Sequence, residues 1–438
     1  MSLSTSPMPA AASAAIFGIT LITFVGLAVT SPMGYILATY ENLYGEWLQV
    51  FLFAAAMVLS LRVVTRTGHP YRWFFALLGL ACFYVVGEEV SWGQQVFDWD
   101  SPAFFESNNL QGETNLHNMV TGPFSTWLKQ AIEWGLAIAL VGYGLIYPVA
   151  IRRGFGPATW LEARGLAGPP VHLWPFWALG AVLELGPLRF NEAEVAEVLI
   201  SFALAATALH HAVLLPRGAH PHQPASWGDA RSMLGGATLG VSVLCLILAV
   251  GATQAMFSVP ETRERMERRI QAGVEKFAGR YARFDQHATA AALYGKALER
   301  DPRDRALLRK YAVALQKDGR AEEAVVPLEK AIELDRAKLR GSPTSASAHR
   351  SLVRSFRLSG DVESAERHLA GAFRIARTRV ADHPDSANAH YALGRAHELA
   401  EEWALALGEF ELAAELDPGR KRNRKAVHRM RGKVAEDG

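Results

Sequence analysis

Five side chains in the first half of the chain have the types that metal or proton chemistry at a membrane surface would use: Glu88, Glu89, Glu113, His117 and Glu197. Together they offer carboxylate oxygens and one imidazole nitrogen. That donor set suits a divalent metal such as zinc, which would activate water for hydrolysis. On this view Glu88, Glu89, His117 and Glu197 are candidate catalytic residues, and Glu88, Glu89, Glu113 and His117 are candidate metal ligands. No HExxH or paired-histidine spacing accompanies them, so the same residues also fit a proton-sharing or polar ligand pocket, or a network that pins a loop. Glu88 and Glu89 need compensation in every case, because adjacent carboxylates near a helix C-terminus oppose the macrodipole as well as each other. Asn191-Glu-Ala-Glu194 reads as a helix start, with Glu192 and Glu194 favouring the positive helix end. Glu197 lies one turn deeper, where capping does not explain it.

The elements that must position these acids are apolar helices. Crossing a hydrocarbon layer of ~30 Å takes about 20 apolar residues, and backbone hydrogen bonding in lipid restricts the span to a helix or a closed barrel. Seven stretches qualify, near residues 12–31, 46–64, 72–92, 126–151, 172–189, 194–215 and 233–257. The fifth is short and carries Pro175, Glu184 and Pro187, which also suits a re-entrant or broken helix. Alternating helix direction puts Glu88, Glu89, Glu133, Glu184, Glu194 and Glu197 at one membrane face with the 93–125 connection, and His210 and His211 at the other. Trp92, Phe97, Trp99, Phe104 and Phe105, interleaved with acids, suit an interfacial segment. Loops on one side carry Arg62, Arg66, Arg72, Arg152, Arg153, Arg164, Arg217 and Arg231, against Lys129 and Arg189 on the other. The positive-inside rule then places the N-terminus in the cytoplasm and, with an odd number of spans, everything after residue 257 outside. Cys82 and Cys245 stand singly in apolar runs and define neither a disulfide framework nor a metal knuckle.

After residue 257 the composition changes. Residues 1–257 hold 10 Lys/Arg and 15 Asp/Glu, and residues 258–438 hold 35 and 28, so a near-neutral total conceals an acidic half and a basic one. In the basic half a skeleton of small and aromatic residues recurs four times. Tyr281, Ala290, Tyr294, Ala297 and Pro302 are followed by Tyr311, Ala312, Gly319, Ala324, Leu328 and Ala331. Then come Leu352, Phe356, Gly360, Ala365, Leu369 and Ala372, and last Leu393, Gly394, Ala406, Phe410, Ala413 and Pro418. Equivalent positions 302, 336, 377 and 418 are 34, 41 and 41 residues apart, which predicts about seven extra residues in the second helices and connections of the longer units.

Over about 150 residues this skeleton resembles the tetratricopeptide (TPR) repeat family, which implies paired helices stacked into an α-solenoid whose concave face binds peptides or proteins. On that alignment Arg309, Arg350, Arg354, Arg357 and Arg395 fall at lining positions, and Arg350, Arg354 and Arg357 share one helix face. Guanidinium groups pair with carboxylates in bidentate fashion, so the implied ligand is an acidic peptide or a C-terminal carboxylate; no nucleic acid is expected. Separately, Gly87-Glu-Glu-Val-Ser-Trp-Gly-Gln-Gln95 with Gln111-Gly-Glu-Thr-Asn-Leu-His-Asn118 resembles a segment of bacterial multispan membrane proteins that brings no assigned reaction with it.

The expected fold is all-α: a polytopic transmembrane helix bundle of about seven spans over 1–257, a connecting helix over 258–280, four TPR-like units over 281–418, and a basic capping helix or tail over 419–438. The tail packs eight Lys/Arg between Gly419 and Lys433 without an acid. Ser258-Val-Pro-Glu261 gives the connecting helix a capping-box start. Expected partners are the lipid bilayer and a protein or peptide on the repeat groove, with the repeats outside the inner membrane of a bacterium. Two functions fit: a protein-binding scaffold for envelope assembly or processing, and a metal-dependent membrane hydrolase or lipid-linked glycosyltransferase using the outer-face Glu/His cluster.

Overall fold

The computed structural model describes residues 7–66, 68–94, 99–108, 114–116, 127–214 and 227–437, and among them every regular element is helical. The chain divides into two compact units, Met1–Gly273 and Val274–Gly438.

The first unit opens with α1 (Pro7–Thr30) and α2 (Pro32–Thr39). Between them the Ser31 hydroxyl accepts the Gly34 N–H, and Pro32 occupies a first-turn position where a missing N–H costs nothing. Next come α3 (Tyr44–Val64), α4 (Arg72–Glu89), the short α5 (Ala103–Asn108) and α6 (Trp127–Val141), which continues through a five-residue π segment, Gly142–Ile146, into α7 (Tyr147–Arg152). The unit goes on with α8 (Gly156–Ala163), α9 (Trp174–Glu184), α10 (Glu192–Leu214) and α11 (Trp227–Ser258).

Among the described residues five stretches have the length and apolarity of a membrane span: Pro9–Thr30, Pro32–Val64, Gln130–Arg152, Glu192–Val213 and Met233–Ser258. The expectation of seven is corrected at two places. α4 is apolar in its middle but bracketed by Arg72 and the Glu88–Glu89 pair. α9 has 11 residues. At 1.5 Å per residue that is about 16 Å, roughly half the hydrocarbon thickness. Pro175 fixes its first turn, while Gly186 at φ 60° and the following Pro187 end it.

Packing separates inner from outer helices. α10 is the inner one, with 78% of its span buried against 17% for α1. Outward residues of the outer helices stay apolar even where most exposed: Ile22 is 74% and Val29 76% exposed, as suits contact with lipid and not water. α3 is the hub and packs on α4, α10 and α11, while α9 packs on α6 and α10. Small residues make the close approaches, with Ala203, Ala205, Ala208 and Ala212 of α10 buried. The π segment serves the same purpose. A Cβ at Gly144 would lie 2.2 Å from Trp177 Cγ, so glycine there lets the ring rest on the backbone.

α12 (Pro260–Arg283) begins in the first unit and ends in the second. The second unit continues with α13 (His287–Arg300), α14 (Arg305–Lys317), α15 (Ala321–Gly341), α16 (Ala346–Ser359), α17 (Val362–Asp382), α18 (Ala387–Leu399), α19 (Trp403–Leu416) and α20 (Lys421–Asp437). From α13 onward each helix packs on the next. Side chains of Asp304, Ser345, Asp361 and Ser386 accept first-turn N–H groups of α14, α16, α17 and α18, and Gly360 closes α16 at φ 80°. Buried Ala290, Ala297, Ala312, Ala331 and Ala372 bring the axes together, and Leu352, Phe356 and Phe410 fill the spaces between. α15 and α17 have 21 residues where α13 and α19 have 14, so the extra seven residues of the longer repeats are helical.

Candidate functional site

The end of α4 is shaped by three consecutive residues of positive φ: Ser91 at 48°, Trp92 at 54° and Gly93 at 95°. Two of these are not glycine, and each such residue costs of order 1 kcal/mol or more, so the surroundings must over-determine the turn. They do. The turn folds Trp92 back on its own helix, where the indole N–H donates to Glu88 Oε1 at 2.9 Å. The ring then occupies the space of a side chain at 87, since a Cβ on Gly87 would lie 2.8 Å from it. The other oxygen of Glu88 accepts the Leu116 N–H at 2.7 Å. Around it Gln94 accepts the Thr114 N–H and donates to Ser101, and the Asn115 amide donates to Ser91. Glu88, 9% exposed, therefore anchors residues 114–116 against the end of α4. Glu113 and His117 lie outside the described residues. Among the described residues no three His, Cys, Asp or Glu side chains are grouped to hold a metal ion.

Glu89 belongs to a different set. Its electrostatic neighbours are Glu197, Glu46, Glu88 and Glu41. Glu194 has Glu197, Glu46 and Glu89 around it, and Glu197 has Glu184 and Glu46 and accepts a hydrogen bond from the Gln49 amide. Carboxylates of α3, α4, α9 and α10 thus gather at one end of the bundle. Sequence reasoning placed Glu89, Glu184, Glu194 and Glu197 at this face and assigned Glu192 and Glu194 to the helix start. In the structure the Glu192 carboxylate accepts the N–H groups of Leu188, Arg189 and Phe190, just before α10, while Glu194 stands among the acids. Asn191, at φ 69°, gives its side-chain amide to the Thr39 carbonyl. Glu46 and Gln49 were missed. Their one local signal is a spacing of three at the start of α3, which places both on one face of that helix.

In the second unit the five arginines separate into two classes. Arg309 lies 3.0 Å from one oxygen of Asp335 and Arg305 2.7 Å from the other, and Asp335 is fully buried, so Arg309 holds α14 to α15. Arg395 pairs with Glu398 at 2.8 Å, and Arg357 stands 3.9 Å from Glu401. Arg350 and Arg354 make no ion pair among the described residues, and one terminal nitrogen of Arg350 is buried without an acceptor. Burial, then the nearby Arg395 and Arg354, push the Arg350 guanidinium down to about 10. Burial and the like charges of Arg395 and Arg309 also hold Arg354 below its ordinary value. Arg354 lines a cavity of about 510 Å³ together with Arg309, Lys310, Lys317 and Arg357. Of these, Lys310 pairs with Glu275 at 2.6 Å, which leaves Lys317 and Arg354 as the lining cations without an ion pair among the described residues.

No family model matches the chain, and no curated protein matches it. Among solved structures it is similar to one titled "MamA RS-1 ArsTM double mutant", with 19% identity over 38% of this chain and 85% of that one, at a TM-score of 0.19. The chemistry of the chain's own side chains has to carry its functional reading.

Proposed function

We propose that the chain is a membrane-embedded scaffold whose second unit, a TPR-type solenoid, binds an acidic protein segment outside the inner membrane of a bacterium, in envelope assembly or processing. The observation that carries this is the pair Arg350 and Arg354, which make no ion pair among the described residues, Arg350 with a buried unpaired nitrogen and Arg354 lining the cavity. A partner carboxylate would satisfy the buried Arg350 nitrogen and relieve the like-charge crowding together, and hydrogen bonds to charged groups contribute about 1.5–3 kcal/mol each. Arg309 and Arg395 support the groove through their ion pairs. The five apolar helices fit the membrane location. The side of the membrane on which the second unit lies is tested with a reporter fused after the last residue.

Binding is tested with the full-length protein in lipid nanodiscs and a fluorescent Asp/Glu-rich peptide read by anisotropy. Arg350→Glu with Arg354→Glu should weaken binding by more than about tenfold, on the scale of one lost charged contact. Lys421→Glu with Lys425→Glu, both exposed on α20, is the charge-matched control and should change little. Equal affinity in the groove variant and the control would refute the proposal.

A further inference from the structure

We infer that the cluster of Glu46 and Gln49 of α3, Glu89 of α4, and Glu194 and Glu197 of α10 binds an organic ammonium group presented at the membrane surface.

Two deficits meet in this cluster. The first is charge. Among the described residues the principal electrostatic neighbours of Glu89, Glu194 and Glu197 are other carboxylates, with no Lys, Arg or His among these neighbours. The second is a missing donor. Gln49 is 1% exposed, and its carbonyl oxygen Oε1 has no hydrogen-bond partner, while its amide nitrogen serves Glu197. A buried acceptor left unsatisfied costs about 1–3 kcal/mol, so an orphan beside a group of acids marks a place where a donor is expected.

One chemical group remedies both. A primary ammonium carries a positive charge and three N–H donors, enough for two carboxylates and the Gln49 carbonyl at once. A metal ion answers the charge less well, because its ligands must close to about 2.0–2.6 Å of one point, and no such group of three exists among the described residues. Ammonium contacts run at about 2.7–2.9 Å and tolerate a wider ring of acceptors. Glu89, Glu194 and Glu197 keep partial exposure while Gln49 is fully buried, so an ammonium group meets the acids first. The ammonium can come from a lipid headgroup or from a free amine.

The test uses the full chain in nanodiscs and follows thermal unfolding. One arm compares phosphatidylethanolamine with phosphatidylcholine, whose quaternary ammonium has the charge but no N–H; the other titrates ethylammonium or tetramethylammonium chloride into phosphatidylglycerol discs. We expect stabilisation by the ethanolamine lipid, the ethylammonium ion or both, and none from the two quaternary ions. A response to the lipid alone assigns the headgroup as source, and a response to ethylammonium assigns the free amine. In Glu197→Gln and in Gln49→Leu, which keeps the volume and removes the orphan carbonyl, apparent affinity should fall at least about tenfold. Equal stabilisation by quaternary ions, an undiminished response in Gln49→Leu, stabilisation by zinc or manganese alone, or a response to pH without any response to amines would each overturn the inference; the last would mean that the carboxylates share protons among themselves.

Discussion

Asp335→Ala should loosen α14 from α15 and, at the same time, make the groove more attractive to anions. Asp335 is fully buried and is held on both oxygens, by Arg305 at 31% exposure and Arg309 at 12%. Removing one partner of a buried ion pair costs about 3–5 kcal/mol, mostly because the other charge is left without compensation. Arg305 reaches water and can be rehydrated, which places the expected loss at the lower end, about 3 kcal/mol. That is roughly two orders of magnitude in the local opening equilibrium. Hydrogen exchange followed by mass spectrometry on the full chain reads it directly, with α14 and α15 exchanging about a hundredfold faster and α19 and α20 serving as internal reference, since coupling in an array of this kind falls off beyond nearest neighbours. The second readout is the acidic peptide. Arg309 lines the cavity, so once released from Asp335 it adds a free cation there, and affinity should rise several-fold at low salt and less in high salt. Unchanged protection in α14 would refute the reasoning. So would an Asp335→Asn variant as well protected as the parent, because the amide keeps the shape and removes the charge.

Other outcomes follow from single contacts. Gly87→Ala places a Cβ 2.8 Å from the Trp92 ring and should destabilise by about 1–3 kcal/mol; in a double-mutant cycle the change should cost almost nothing once Trp92→Ala is present, and full additivity would show that the ring is not the obstacle. His349 and His368 meet Nδ1 to Nδ1 at 3.0 Å, an arrangement in which one ring donates and the other accepts. Burial, with Arg374 near His349 and His349 itself near His368, keeps both rings below their ordinary value. The unfolded rings therefore bind more protons as pH falls below about 6.5, and stability should decline on that side while staying flat above about pH 7. His368→Leu should flatten the acid limb measured by exchange in α16 and α17; a limb of unchanged slope would assign it to other groups.

Much of the helical framework was legible because it rests on local rules. Spacings of 34, 41 and 41 carried the helix lengths of the second unit, and the longer α15 and α17 are where the extra residues went. Pro175 and Pro187 already marked α9 as the doubtful span. The site was less legible, because tertiary neighbours decide it. Arg309 and Arg354 occupy equivalent-looking lining positions, and only Asp335, arriving on another helix, commits the first and leaves the second uncommitted. Glu192 and Glu194 were expected to share the helix start; with Asn191 in a left-handed backbone the preceding N–H groups meet Glu192, and Glu194 joins the acids of α3 and α4. Glu46 and Gln49 join acids about 150 positions away because α3 packs on α10, and nothing within α3 announces that.

The central place of α3 has a consequence for how the molecule is made. Its fully sequestered Ser60 and nearly sequestered Gln49 are covered in the finished bundle partly by helices that the ribosome delivers much later. At ordinary synthesis rates the start of α10 trails the end of α3 by roughly ten seconds. For that interval a helix with polar groups meant for an interior has no interior, which is when α3 is most open to misassembly. Variants that lengthen the wait, such as slow codons before α10, should lower yield without altering the mature protein.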